Sequence, residues 1–128
     1  MMAATPPRRR RAVGFAAEET AAAWLAERGY TVLDRNFTVR QGEVDLVVRN
    51  EEVLAFVEVR SRKGDDFGTP EATIGTRKIR RVVTAARHWL ARYGDAGLDI
   101  RFDVIAVDRS PRGSGEVRHL PAAFEAGL

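Results

Sequence analysis

No cysteine occurs among the 128 residues. That excludes disulfides and thiolate-held metals, and it fits a reducing compartment. No apolar run approaches the roughly 20 residues that a membrane-spanning helix needs. Lysine is almost missing. Lys63 and Lys78 are the only two among 21 basic residues. With the abundance of alanine this reads as coding bias, so arginine richness is not in itself a functional sign. Internal repeats, phosphate-binding glycine loops and Ser–His nucleophile arrangements are also lacking. The first residues, Met1 to Arg11, hold Pro6-Pro7 and four successive arginines but no apolar middle of a signal peptide. The expectation is a disordered basic arm over residues 1–12 and a cytoplasmic protein.

What remains is enough for one domain and too little for two. Apolar residues make up 45% of the chain, which supports a core. Net charge is +3 and the isoelectric point about 9.9, so the distribution of charge carries more information than its sum. The pattern predicts a helix from Val13 to Arg28, closed by Gly29. Strands follow over Tyr30–Thr38, Glu43–Arg49 and Val53–Arg62, joined by turns at Arg40-Gln41-Gly42 and Asn50-Glu51-Glu52. A loop from Lys63 to Gly75 leads to a second helix, Thr76–Tyr93, which stops at Gly94. A fourth strand spans Leu98–Val107. The segment 109–128, rich in Pro, Gly, Ser and Arg, reads as a flexible tail. The domain proper is then 13–108, an α/β fold of order α-β-β-β-α-β with a mixed sheet flanked by helices.

Two carboxylates stand on runs that otherwise read as buried strand: Asp45 in Gly42-Glu43-Val44-Asp45-Leu46-Val47-Val48, and Glu58 in Phe56-Val57-Glu58-Val59-Arg60. Desolvating a carboxylate is costly, so each needs a partner. Thirteen residues apart and joined by one tight turn, the two can converge on a divalent cation. Alternation puts Glu43 with Asp45 on one face, and on the next strand Glu58 and Arg60 share a face with Leu54 and Phe56; if the strands pair through the turn, the two sets can meet near one end of the sheet. Oxygen donors suit Mg²⁺ or Mn²⁺, and the carbonyl of Val59 offers a further one. On the first helix, Glu18 lies among Phe15, Ala21, Ala22 and Leu25, on the apolar face, with Glu19 at its edge. Glu18 too needs a partner, either this cluster or an arginine. Asp103, in Arg101-Phe102-Asp103-Val104-Ile105, is another acid on an apolar strand; pairing with an arginine and joining the cluster stand open.

The second helix shows an apolar stripe of Ile79, Val82, Val83, Ala86, Leu90 and Tyr93. Arg77, Lys78, Arg80, Arg81, Arg87, His88 and Arg92 carry its other side, with no acid between Ala72 and Gly94. Cations in a first helical turn oppose the helix dipole, and a merely solvated face mixes signs. Contact of Arg77, Lys78, Arg80, Arg81 and Arg87 with nucleic-acid phosphates explains the pattern; such contacts give affinity without sequence choice. Trp24 and Trp89 read as packing residues and His88 as solvated.

Gly14 with Glu18 and Ala21, Gly29-Tyr30, Arg35-Asn36, Gly42 to Leu46, Phe56 to Arg62, Lys78 and Arg101 to Val104 occur in an order and spacing that resembles the YraN family of small bacterial proteins. The resemblance covers about Gly14 to Val107. It implies a restriction-endonuclease-like fold related to Holliday junction resolvases, and a variant of the PD-(D/E)xK nuclease signature. On that resemblance Asp45 and Glu58 are metal ligands for Mg²⁺ or Mn²⁺, and Glu18 is the helix-borne acid beside the metal. The chain would then be a metal-dependent endonuclease acting on DNA, branched or structured DNA included, with a homodimer as the resolvase-like arrangement. The lysine of the signature falls on Arg60. Arginine steadies a charged phosphate but stays protonated and cannot act as a base, so a DNA-binding protein without catalysis is the alternative. Lys63 and Lys78 are the candidates for the missing ammonium. A third reading is a protein-interaction module whose basic helix docks an acidic partner.

Overall fold

The computed structural model describes residues 8–62, 74–108 and 116–128, with side chains described from residue 16 onward, that of Arg62 excepted. The elements are α1 (Arg8–Glu27), β1 (Thr31–Val39), β2 (Gly42–Arg49), β3 (Val53–Arg62), α2 (Thr76–Tyr93), β4 (Asp99–Asp108) and β5 (Val117–Phe124). One five-stranded sheet has the order β1-β2-β3-β4-β5. Among the described strands only β3 and β4 pair in parallel, with α2 between them in the chain; the other neighbours are antiparallel. The sheet is therefore mixed, as expected.

Two expectations need correction. The first helix starts at Arg8, five residues before Val13, so part of the supposed basic arm is helical; residues 1–7 lie outside the described ones. Val117–Phe124, inside the supposed flexible tail, is the fifth strand. The composition was misleading there because Pro121 is tolerated on a sheet edge. Val117, His119 and Leu120 supply the ladder to β4.

The helices cover opposite faces of the sheet. On one, Ala17, Ala21, Ala22 and Leu25 of α1 pack on Leu46, Val48, Ala55, Val57, Ile105 and Val107. The alanines on this helix leave room for it to lie close to the sheet. On the other, Val82, Val83, Ala85, Ala86 and Trp89 of α2 pack on Val44, Val47, Leu54, Phe56 and Phe102. Tyr93, expected in that stripe, is 56% exposed; it lies in the last turn, just before Gly94 turns the chain away. Trp24 and Trp89 do pack. Trp89 is buried and donates to Asp34 at 3.1 Å, and Trp24 lies against the other core.

Gly29 (φ 92°) ends α1 and Gly94 (φ 78°) ends α2, both in the left-handed region that glycine enters without a Cβ penalty. Gly42 has a different reason to be glycine. A Cβ there would lie 2.3 Å from the carbonyl oxygen of Arg81 and 2.9 Å from the nitrogen of Ala85. The backbone of α2 rests directly on the start of β2. That close approach fixes which residues of α2 stand above the neighbouring strands. The β2–β3 turn is held by Asn50, whose Oδ1 accepts from the N–H groups of Glu52 and Val53 at 2.8 Å each.

Candidate active site

The β2–β3 ladder runs from Arg49↔Leu54 only to Leu46↔Val57. Beyond that pair a side chain replaces the backbone acceptor: Val59 donates its N–H to Oδ2 of Asp45 at 2.8 Å. The Asp45 carboxyl thus sits at the point where the two strands part. Glu58 follows on β3, with its side chain only 3% exposed. Glu18 reaches the same place from α1, on the other face of the sheet. Its carboxyl interacts with Asp45 and with the carboxamide of Asn36.

Burial raises all three pKa values; the charge of Asp45 adds to it at both glutamates, whereas hydrogen bonding with Glu58 works against it at Asp45. Glu58 is pushed up to about 8, by burial first and then by Asp45, with Lys78 opposing. Glu18 is pushed up to about 7, again by burial first and then by Asp45, while Asn36 opposes. Asp45 is raised by burial, against the hydrogen bond from Val59 and the charge of Lys78. Asp45 is the shared member: hydrogen bonding with it holds the proton on both glutamates. Like charges at this spacing cannot all ionise together in a poorly solvated place.

Lys78 brings the positive charge. Its Nζ lies 3.3 Å from Oε2 of Glu58, whereas Nη1 of Arg60 lies 3.9 Å from the same oxygen. Lys78 is in the first turn of α2, where a cation opposes the helix dipole; its pairing with a buried acid accounts for that placement. The expectation that Lys78 and Arg81 lie on the outward phosphate-facing side is corrected here. Arg81 turns to Glu43, Nη2 to Oε1 at 3.3 Å. Long stems at the border of the apolar stripe fold back over the sheet. Arg77, Arg80, Arg87, His88 and Arg92 remain exposed. Among them, Arg87 donates to the carbonyl of Gly127 at 2.9 Å and Nδ1 of His88 lies 2.9 Å from the carbonyl of Thr84. Lys63 lies outside the described residues.

The chemistry of the donor set fits a hard divalent cation. Oxygens from Glu18, Asp45 and Glu58 converge from three elements, and Oε1 of Glu58 is buried without a hydrogen-bond partner. A buried acceptor left without a donor is costly, and a cation would satisfy it. Asp45 interacts with both glutamates. Among the described residues no group of three or more His, Asp or Glu side chains is placed, as it stands, to hold a metal ion. Because burial raises the pKa values of these carboxyls, loss of protons from them would accompany binding.

Asp103 is not part of this cluster. It is fully buried and accepts from Nε and Nη2 of Arg101 at 2.8 Å, from Nε2 of His119 at 2.8 Å and from the N–H of Ala122 at 3.0 Å. Burial alone would raise its pKa; these donors outweigh it and hold the carboxyl below its ordinary value. Arg101 also donates to the hydroxyl of Tyr30 at 2.8 Å. Of the two openings left by the sequence, pairing with an arginine is the one realised. The group ties β5 and the start of β1 to β4. His119, which lies in the supposed tail, was not expected to matter, and Asn36 entered only among the residues that carry the family resemblance, without a role. The signal for Asn36 was a small polar residue, prone to left-handed backbone, in the middle of a strand.

A mixed α/β sheet between two helices, with buried carboxyls converging where two strands part, is the class that fold and site define. Residues 17–107 match the family described as "Uncharacterised protein family UPF0102". A UPF0102 protein of Anaeromyxobacter dehalogenans is 55% identical over 119 residues, covering 91% of this chain and 86% of that protein. One from Myxococcus xanthus is 42% identical over 123 residues, covering 95% and 96%. One from Geobacter sulfurreducens is 39% identical over 113 residues, covering 88% of each. The chain belongs to the UPF0102 family, the family to which the YraN resemblance pointed. No helix among the described residues is long and apolar enough to cross a membrane.

Proposed function

We propose that the protein is a metal-dependent endonuclease that acts on DNA, with branched or otherwise structured DNA as its substrate class. The observation that carries this reading is the convergence of Asp45, Glu58 and Glu18 beside Lys78 at the parting of β2 and β3. Asp45 and Glu58 would hold Mg²⁺ or Mn²⁺, with Glu18 in support. When bound, such a cation polarises a phosphate and lowers the pKa of a water molecule. The chain's own groups supply the rest. Lys78 and Arg60 provide positive charge for a phosphate whose negative charge grows during displacement. An ammonium, unlike a guanidinium, can also give up and take back a proton. This makes Lys78, not Arg60, the counterpart of the lysine in the nuclease signature.

The element order and the position of the acids support the restriction-endonuclease-like reading. Exposed Arg77 and Arg80 flank Lys78 on α2. Gly75 precedes that helix without a side-chain cap, and its first turn has no acid. Phosphates fit such a helix start. Cuts in two strands of a junction would take two copies of the chain.

The test is cleavage of linear, single-stranded, flapped and four-way-junction DNA with Mg²⁺ or Mn²⁺, with Asp45→Asn beside the natural protein. Cleavage that needs metal and vanishes in the variant supports the reading, and the preferred substrate defines its class. Cleavage that persists in Asp45→Asn removes the site assignment. Arg60 favours a second reading, a protein that holds DNA without cutting it. Metal-dependent binding without cleavage, with cleavage gained in Arg60→Lys, would establish that alternative.

A further inference from the structure

β1 breaks the alternation rule at Asn36, apart from the register shift between Val32 and Asp34. Successive side chains on a strand point to opposite faces. Arg35 pairs with Glu19 of α1, and Phe37 packs in the core on the α2 side. Between them Asn36 has φ 52°, in the left-handed region. That turn lets two consecutive residues, Arg35 and Asn36, both reach α1. They meet two consecutive acids there: Arg35 meets Glu19, and the carboxamide of Asn36 meets Glu18. The ladder pairs Arg35 with Leu46 and Phe37 with Val44. Asn36 therefore stands across from Asp45, the centre of the acid cluster.

Left-handed backbone in the middle of a strand is unfavourable for any residue with a Cβ, and asparagine tolerates it best among them. Glycine would fit with less strain. Asn36 is exposed, so its amide adds little to the stability of the fold. A strained, exposed polar residue that touches a half-buried acid is placed for the acid's sake.

We propose that Asn36 is a positioning residue: its left-handed backbone holds its carboxamide on Glu18 and sets that carboxyl toward Asp45 for the divalent cation. This rests on the metal-site reading above. Asn36 does not touch the metal or the phosphate; it acts through Glu18, as partners of metal ligands commonly do.

Asn36→Gly removes the amide and keeps the backbone. The probe is Mn²⁺ alone, its affinity measured by electron paramagnetic resonance, with thermal unfolding beside it. The natural protein, Asn36→Gly, Glu18→Gln, the double variant and Asp45→Asn are compared. Expected for Asn36→Gly is an unchanged or raised melting temperature together with Mn²⁺ affinity weakened about tenfold, the low end for removal of outer partners of a metal ligand. In the Glu18→Gln background the same change should have almost no further effect, because Asn36 acts through Glu18. Equal affinity in Asn36→Gly and the natural protein would overturn the proposal, as would the same loss with and without Glu18. Mn²⁺ affinity that is equal in the natural protein and Asp45→Asn would instead remove the metal site itself, and the role of Asn36 with it.

Discussion

Lys78 stands in the first turn of α2 beside Glu58, at 3.3 Å, in a chain that otherwise uses arginine almost throughout. A lysine kept under such a bias, where the helix dipole disfavours it, has a site-specific reason to be there. Lys78→Met should lower the cleavage rate by about 10²–10³-fold, the usual loss when one group aimed at developing charge is removed. Arg60→Lys should change it little. Single-turnover kinetics at saturating Mg²⁺ measure both, and cleavage undiminished in Lys78→Met would remove Lys78 from the role. Much of this was legible from the sequence. A carboxylate on an apolar strand or helix face announces an unmet need, and that singled out Asp45 and Glu58 on strands and Glu18 on α1. Lys78 was legible only as one of two candidate ammonium groups, beside Lys63, because helical periodicity places it on the polar side of α2. Which way a four-carbon stem leans is decided by the packing of α2 on the sheet. A role for Asn36 escaped for a similar reason, since a break of side-chain alternation at one residue is not marked in the surrounding hydrophobic pattern.

The position of α2 is set by Gly42, where any side chain would collide with the backbone at Arg81 and Ala85. Gly42→Ala must push the helix away, and backbone cannot yield as a side-chain tip does. Overpacking of this kind costs about 1–3 kcal/mol. Urea unfolding measures it, and an unchanged midpoint would show that α2 has freedom to move. The outward side of α2 carries the electrostatic prediction. Replacing Arg77 and Arg80 by Ala should weaken DNA binding on every sequence alike. It should also flatten the dependence of log affinity on log salt by about one unit for each phosphate no longer neutralised. Binding measured between low and moderate salt checks this; a slope that stays the same would place the DNA elsewhere. Helices, hairpins and the crossover were readable because period and turn chemistry agreed along them. The β5 strand was not, since Pro, Gly and Arg surround it. Its strand-forming partners are supplied by β4, and its anchor is Asp103, with hydrogen bonds to His119 and Ala122.

Across the whole molecule the buried acids set how stability responds to pH. Glu58 rises from an ordinary 4.5 to about 8 on folding, and Glu18 to about 7. Between these limits the folded state binds more protons than the unfolded one. Stability therefore falls as pH rises from about 4.5 to 8. Asp103 has the opposite sign: its carboxyl is held below the ordinary 3.8, so its contribution is lost in acid below that value. Unfolding midpoints without metal should be highest near pH 5 and decline toward pH 8, and excess Mg²⁺ should reduce the decline by binding the deprotonated cluster. Midpoints that rise over that range would contradict the shared-proton arrangement. The measurement that bears most directly on the site is calorimetric titration of Mn²⁺ into the protein at pH 7, in two buffers of different ionisation heat. A metal site at the acid cluster requires saturable binding with release of protons from Glu18 and Glu58, and loss of that binding in Asp45→Asn. Binding that releases no protons, or that is undiminished in Asp45→Asn, would contradict it.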